Sequence, residues 1–431
     1  MATFIEPKIL KGFRDFLPAE EIPRRILAER IEAGFRSFGF APIDTPALEY
    51  AEILLGKGGG ETEKQIYRFK DNGNRDVALR FDLTVPFARF VAEHRAELSL
   101  PFKRYHIGKV WRGENTQRGR YREFTQCDFD IVGSDSAGAD FEILLMMRRI
   151  LKNAGAGDVA IKINHRGIFN RFLETLGIRE KSADILRTVD KLGKIGRTET
   201  LRLLAEHAGN AAQAILDYIE ASGTFEEILQ TITQASGGDS PESGRLAQIR
   251  QFMLDTGTAD SFVLDPSITR GLDYYTGIVY ETFLADLPEI GSVCSGGRYD
   301  NLTGLYSKET LCGVGSSIGL DRLIAALETL GRLETAVSYS KVGVACTSGE
   351  AAGLCQALAE RLRDSGIPCE ALLEEAKLSK QCILAEKKGA RWLVIPGNAP
   401  LADPITLRDL SKRENRTGLS IEETIRILLE N

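Results

Sequence analysis

The sequence predicts a β-rich domain interrupted by a helical insertion and followed by a separate, compact α/β domain. Three observations carry this. Strand character over residues 65–135 returns near Phe262 and runs through Phe283, with a mainly helical stretch at 168–255 between the two. A domain inserted into a sheet leaves that signature. Beyond about residue 337, short strands alternate with helices. The length, 431 residues, accommodates two or three domains with cores of their own.

The elements follow in order. Residues 22–38 read as an amphipathic helix, with Leu27, Ile31, Phe35 and Phe38 at helical spacing and Gly39 closing it. Residues 40–46 are extended, and Pro42 and Pro46 suit a sheet edge or an interface. Residues 56–60 form a glycine loop, and 140–153 a helix. A Gly/Ser-rich segment at 235–244 closes the helical stretch; residues 313–330 read as a small-residue turn and then a helix. In the last part, strands are expected at 342–346, 369–372 and 392–395, and helices at 350–365, 377–388 and 420–429. The domains are therefore expected at 1–167 with 256–330, at 168–255, and at 338–431.

Composition narrows the class. Hydrophobic residues make up 43% and charged residues 27%, an ordinary soluble balance. No run of 18 apolar residues occurs, so no membrane span is expected. The first residues resemble neither a secretory leader nor a transit peptide. Seven cysteines, an odd number with no C-x-x-C pair, fit a reduced cytoplasmic compartment and argue against structural zinc. The net charge of −6 argues against nucleic acid, yet residues 103–122 hold seven Lys or Arg against one acid, Glu114. An acidic chain can carry one basic site.

That basic stretch opens the most informative segment, residues 102–133, read as strand, loop and strand. Residues two apart on a strand share a face. Arg112 and Glu114 therefore point one way, as do Phe124, Gln126, Asp128 and Asp130, while Cys127, Phe129 and Ile131 face a core. Arg118, Arg120 and Arg122 lie in the loop. Arginines bind phosphate bidentately, and a ring such as Phe124 can stack on a base. A nucleotide site on an antiparallel sheet is one reading; a sheet with a solvated polar face is the other.

Four more segments carry candidate chemistry. In residues 79–86, Asp82 and Thr84 could hold an ammonium group, or could cap a helix starting near Pro86. In residues 270–281, Arg270 and two tyrosines, Tyr274 and Tyr275, put hydrogen-bonding groups on a strand; the plain alternative is an ordinary aromatic strand. Residues 296–300 read as a tight glycine turn that lets a backbone approach a ligand. Residues 313–323 place small residues before a helix with Arg322 in its first turn; the plain alternative is helix–sheet packing through glycine. Gly313, Gly315 and Gly319 miss the G-x-G-x-x-G spacing, and no Walker A pattern occurs.

Together and in this order, the segments resemble the motifs of the histidyl-tRNA synthetases over nearly the whole chain. Residues 11–18 look like that family's opening. The first helix with Pro46 resembles class II motif 1, which builds a dimer interface. Residues 105–133 resemble motif 2, 313–323 motif 3, and 270–275 with 296–300 two elements particular to the histidine enzymes. The last domain resembles the family's anticodon-binding domain.

The resemblance implies an α+β class II catalytic domain, an antiparallel sheet flanked by helices, with a helical insertion and a C-terminal α/β domain. It implies a homodimer using ATP and Mg²⁺ to join L-histidine to tRNA(His), with no side-chain metal site. Arg112, Glu114, Arg120, Phe124 and Arg322 would bind ATP. Asp82, Thr84 and Gln126 would hold the histidine ammonium. Asp130 and Tyr275 would read the imidazole, Tyr274 would line the pocket, and Arg270 and Arg112 would carry charge in the reaction. Gln117 and Arg122 would touch the tRNA acceptor end. The rival is a non-catalytic paralogue that serves as a regulatory subunit of ATP phosphoribosyltransferase; it lacks the last domain, and its ATP-site residues are degraded.

Overall fold

The computed structural model describes residues 4–56, 61–268, 275–300, 303–347, 352–397 and 404–430. The strands, in chain order, are β1 (Ala41–Pro42), β2 (Leu48–Tyr50), β3 (Arg68–Lys70), β4 (Asp76–Leu79), β5 (Phe102–Trp111), β6 (Glu123–Val132), β7 (Val159–His165), β8 (Phe262–Leu264), β9 (Ile278–Leu284), β10 (Cys294–Tyr299) and β11 (Gly313–Gly319). A later group comprises β12 (Val342–Val344), β13 (Cys369–Ala371), β14 (Trp392–Ile395), β15 (Ile405–Asp409) and β16 (Glu414–Leu419).

Eight strands form the main sheet in the order β1-β5-β6-β11-β10-β9-β7-β8. Its six central strands pair antiparallel, and a parallel strand closes each edge. Pro42 falls in the edge strand β1, where a missing N–H costs no ladder bond. β2, β4 and β3 make a small antiparallel sheet beside it in sequence.

One face of the main sheet is apolar and covered by helices. Helix Pro18–Ser37 buries Leu27, Ile31 and Phe35 completely or nearly so. Phe35 lies 5.2 Å from the ring of Tyr105 on β5 and 5.0 Å from Phe129 on β6. Helix Ala137–Asn153 packs so closely alongside that a Cβ at Gly34 would stand 2.4 Å from Ile150. Glycine is required there by contact, not by backbone angle.

Between β7 and β8 the chain is helical, from Arg166–Thr175 to Pro241–Asp255. Two of these helices start at capping boxes, Thr224 with Glu227 and Ser240 with Ser243. Their buried residues, among them Leu204, Ile215, Ile228 and Ile249, continue the core of the main sheet. Residues 1–14 and 27–333 cluster as one unit, and residues 15–26 with 334–431 as another. The second unit holds a five-stranded sheet in the order β13-β12-β14-β15-β16, parallel through β14 and antiparallel after it. Helices Ala352–Asp364, Leu378–Lys387 and Ile421–Leu429 accompany it.

Two local expectations are corrected. Residues 313–319 are a central strand, β11, and not a turn; helix Leu320–Thr329 follows directly. Residues 296–299 likewise lie in strand β10. A Cβ at Gly296 would meet the carbonyl oxygen of Gly315 at 2.1 Å, and one at Gly297 the carbonyl of Ile278 at 2.7 Å. These glycines let backbones of neighbouring strands approach; they do not reverse the chain. The loop expected at 56–60 lies outside the described residues from 57 onwards.

Candidate active site

The second face of the main sheet floors a cavity of about 390 Å³. The alternation in β6 divides as expected: Cys127, Phe129 and Ile131 are core, while Phe124, Gln126, Asp128 and Asp130 line the cavity. Its walls also take Asp82, Thr84, Arg112, Glu114, Arg120, Tyr275 and Arg322 from distant parts of the chain.

One half of the cavity is ringed by arginines. Arg112 follows the end of β5; its Nε donates to the carbonyl of Phe81 at 2.9 Å, and its guanidinium lies 5.2 Å from the ring centre of Phe124. Glu114 stands between Arg112 and Arg120, at 3.9 and 3.8 Å. Arg322, in the first turn of helix Leu320–Thr329, donates from Nη1 to the carbonyl of Ser292 at 2.6 Å. Burial, and then the nearby Arg120 cation, bring its pKa down to about 10. Three guanidiniums crowded in this way favour a polyanion.

The loop between β5 and β6 is closed by paired backbone bonds between Gln117 and Arg120. Gly119 turns it at φ 72°, and a Cβ there would sit 3.4 Å from the backbone of Arg322. A latch from the N-terminal segment holds the same region. The Arg14 guanidinium lies 3.4 Å above the Tyr121 ring and donates to Asp321 at 2.5 Å. Asp321 in turn accepts from the backbone N–H of Thr125 on β6 at 2.9 Å.

The other half is lined by carboxylates. Asp82 Oδ1 accepts from the backbone N–H of Val85 at 3.0 Å, at the start of helix Thr84–Glu93. The capping alternative thus describes one of its oxygens; the other is buried without a hydrogen-bond partner among the described residues, and the residue lines the cavity. Burial raises the Asp82 carboxyl, against the Val85 N–H and the Arg112 charge. Gln126 donates to Ser317 Oγ at 2.8 Å, which orients its amide.

Asp130 accepts from Tyr299 at 2.7 Å and lies 2.6 Å from Arg104, which is fully buried beneath it. Burial raises its carboxyl, with Arg104 and Tyr299 opposing. A Cβ at Gly315 would fall 1.9 Å from Asp130 Oδ1, so that glycine makes the carboxyl's space. Tyr275 stands in the wall, its carbonyl held by Arg166 at 2.9 Å.

The structure therefore gathers ten of the expected residues around one cavity. Gln117 is at the loop tip and Arg122 is turned toward the N-terminal segment, donating to the carbonyls of Glu114 and Lys11; neither lines the cavity. Arg270 and Tyr274 lie outside the described residues. Residues not anticipated are Arg104, Tyr299, Arg14 and Asp321. Arg104 was legible in part, because it shares a strand face with His106 opposite Asp130. The Arg14 latch spans 307 positions and leaves no local signal.

Comparison with known proteins accounts for this assembly. A family model for histidyl-tRNA synthetase matches residues 12–323, and one for an anticodon binding domain matches residues 341–431. The chain belongs to the histidyl-tRNA synthetase family. A histidine–tRNA ligase of Treponema denticola is 52% identical, over 97% of this chain and 98% of its own. That of Rhodopirellula baltica is 47% identical, over 99% and 98%. The crystal structure of histidyl-tRNA synthetase from Nostoc superposes with a TM-score of 0.88 at 32% identity, over 99% of this chain and all of that one.

A Bacillus halodurans structure, described as an ATP phosphoribosyltransferase regulatory subunit/histidyl-tRNA synthetase, superposes at 0.73 with 21% identity, a likeness of fold alone. The family's fold, an antiparallel-rich class II sheet with an anticodon-binding domain, is the one described above.

Proposed function

We propose that this chain is a cytoplasmic, homodimeric ligase that activates L-histidine with ATP and transfers it to tRNA(His). The supporting observation is the division of one cavity into an arginine-ringed half and a carboxylate-lined half joined by β6. A nucleoside triphosphate suits the first half and an amino acid with several N–H donors the second. No helix among the described residues is long and apolar enough to cross a membrane.

In this reading Phe124 and Arg322 sandwich the adenine, and Arg112 holds the α-phosphate, with Glu114 and Arg120 on the nucleotide. Asp82, Thr84 and Gln126 take the ammonium of histidine; Asp130 and Tyr275 read the two ring nitrogens, with Tyr274 beside them. A competitor without those nitrogens leaves a buried carboxylate and hydroxyl unpaired, which discriminates by roughly 10⁴–10⁵ in comparable sites.

The histidine carboxylate attacks the α-phosphorus, forming an O–P bond as pyrophosphate leaves. A ribose hydroxyl of the tRNA's terminal adenosine then attacks the adenylate carbonyl and AMP departs. Positioning and charge stabilisation carry both steps. Gln117 and Arg122, on the loop between β5 and β6, would meet the acceptor end. Residues 338–431 would read the anticodon, and residues 168–255 would form the inserted domain.

Among the described residues, no group of three or more His, Cys, Asp or Glu could hold a metal. Mg²⁺ would be held through the substrate phosphates and one or two carboxylates. Glu114 and Glu281 are the wall glutamates that would hold it with the nucleotide. When bound it neutralises charge on the triphosphate.

The test is amino-acid-dependent ATP–pyrophosphate exchange with each of the twenty amino acids and no tRNA. Exchange with histidine alone is expected. Exchange with another amino acid would discard the Asp130–Tyr275 reading, and none at all from folded protein would transfer the case to the regulatory paralogue. Arg270→Ala should abolish exchange while leaving histidine binding and the fold intact; retained turnover refutes its role.

A further inference from the structure

The carboxylate-lined half contains a side chain to which the reading above gives no task. Asp128 stands midway along the cavity face of β6, between Gln126 and Asp130, and only 1% of it is exposed. It is in register with His106 on β5 and Ser317 on β11. The Ser317 hydroxyl satisfies part of the carboxyl, but Oδ1 has no hydrogen-bond partner among the described residues. His106 does not supply one: its Nε2 is 2.9 Å from Asp44, and its Nδ1 is itself unpartnered.

Two other buried acceptors of the same cavity are in the same state, Asp82 Oδ2 and Gln126 Oε1, while Asp130 Oδ2 has only the ion pair with Arg104 at 2.6 Å. Buried acceptors are ordinarily satisfied, and a site that leaves several open is built for a ligand that brings the donors. An ammonium group offers three N–H donors, and sharing one of them between two acceptors lets Asp128 join Asp82, Thr84 and Gln126 around it.

We propose that Asp128 is a further amino-acid-binding residue, whose Oδ1 accepts an N–H from the α-ammonium of the bound amino acid beside Asp82 Oδ2 and Gln126 Oε1. This rests on the reading of the cavity as the L-histidine site. It adds a third carboxylate to the pair, Asp82 and Asp130, already assigned there.

The assignment carries a proton-linkage consequence. The groups facing Asp128 are Arg104 and His106 from β5, Asp130 from its own strand, Asp82 and Arg80 from the segment before helix Thr84–Glu93, and the Cys294 thiol from β10. Burial, helped by Asp130 and Asp82 and opposed by Arg104, holds the Asp128 carboxyl up to about 7. Burial, with Arg104 and Arg80, keeps His106 neutral, its pKa down to about 3. The unliganded site therefore holds part of the Asp128 population protonated near neutral pH, and an arriving ammonium displaces that proton. Lowering the pH fills Asp128 with a proton and weakens binding; raising it removes the competition.

The experiment is calorimetric titration of L-histidine into the full-length protein at pH 7, in two buffers of different ionisation enthalpy, for the wild type and Asp128→Asn. ATP binding is titrated in parallel as the measure of an intact site. The wild type should release more protons on binding than the variant. Proton exchange by the imidazole of histidine is common to both and cancels. The variant's Kd for histidine should rise about ten- to a hundredfold with the Kd for ATP unchanged, the effect of losing a charged hydrogen bond.

Equal proton release and equal histidine affinity in the two proteins would overturn the proposal. A wild type that binds ATP but no L-histidine would instead overturn the underlying reading of the cavity, and this assignment with it. Should Asp128→Asn lose ATP binding as well, Asp128→Ser replaces it in the same titration, with the same two outcomes decisive.

Discussion

Replacing Arg104 with methionine isolates the charge that holds the carboxylate-lined half of the cavity in shape. Arg104 is fully buried, with Nη2 2.6 Å from Asp130 Oδ2 and its guanidinium 4.1 Å above the Phe87 ring. Methionine restores most of the aliphatic stem, so the loss is confined to the cation. Removing one partner of a buried pair costs about 3–5 kcal/mol, because the other charge is left uncompensated.

Asp130 can escape part of that cost by taking up a proton. Burial already raises its pKa with Arg104 opposing, so without Arg104 it rises further. A carboxyl whose folded pKa exceeds its unfolded value disfavours the fold above the unfolded value. The penalty grows until the pH passes the folded one. The variant's deficit should therefore be smaller at pH 5 than at pH 8. For a unit spanning residues 27–333, about 1 kcal/mol corresponds to roughly 1.5 °C, so Tm should fall by about 4–8 °C at pH 8. Differential scanning calorimetry at the two pH values measures this directly. A deficit below about 1 kcal/mol, or one equal at both pH values, refutes the reasoning. Arg104→Met combined with Asp130→Asn should recover much of the loss, since the stranded charge is gone.

Two further outcomes follow from contacts around the same cavity. Gly315→Ala places a methyl 1.9 Å from Asp130 Oδ1 and should raise KM for histidine more than about tenfold while KM for ATP changes little; exchange kinetics with an unchanged histidine KM would contradict it. Arg14→Ala removes the latch on Asp321 and Tyr121 and should lower kcat/KM for ATP about tenfold, with Arg14→Lys failing to restore it because an ammonium cannot stack as a planar guanidinium does. Full activity in Arg14→Lys would show that charge alone suffices.

Period-two alternation made the two faces of β6 legible before any coordinates, because a pleated strand must send successive side chains to opposite sides. That is why Phe124, Gln126 and Asp130 were found together, with Cys127, Phe129 and Ile131 behind them. The helix at 18–37 and the helical interruption between β7 and β8 were legible from apolar spacing for the same kind of reason. Glycine was the misleading residue. Gly296, Gly297 and Gly315 read as turn formers in a linear string, yet they lie inside strands. What demands them is an atom on a neighbouring strand, a constraint with no local trace in the sequence.

The sequence by itself determined the class of fold, the polar face of β6 and the set of residue types suited to a nucleotide and an amino acid. Which of those residues meet was decided only by the tertiary structure. Asp130 and Arg322 come within one cavity because strands far apart in sequence pair in the order β5-β6-β11-β10, and Asp82 joins them because its segment bonds to the end of β5, the Trp111 N–H to the carbonyl of Arg80 and Arg112 Nε to that of Phe81. The Arg14 latch and the Arg104–Asp130 pair arise in the same way. Pairing order depends on long-range burial and hydrogen bonding, whereas side-chain alternation depends only on the local geometry of a strand.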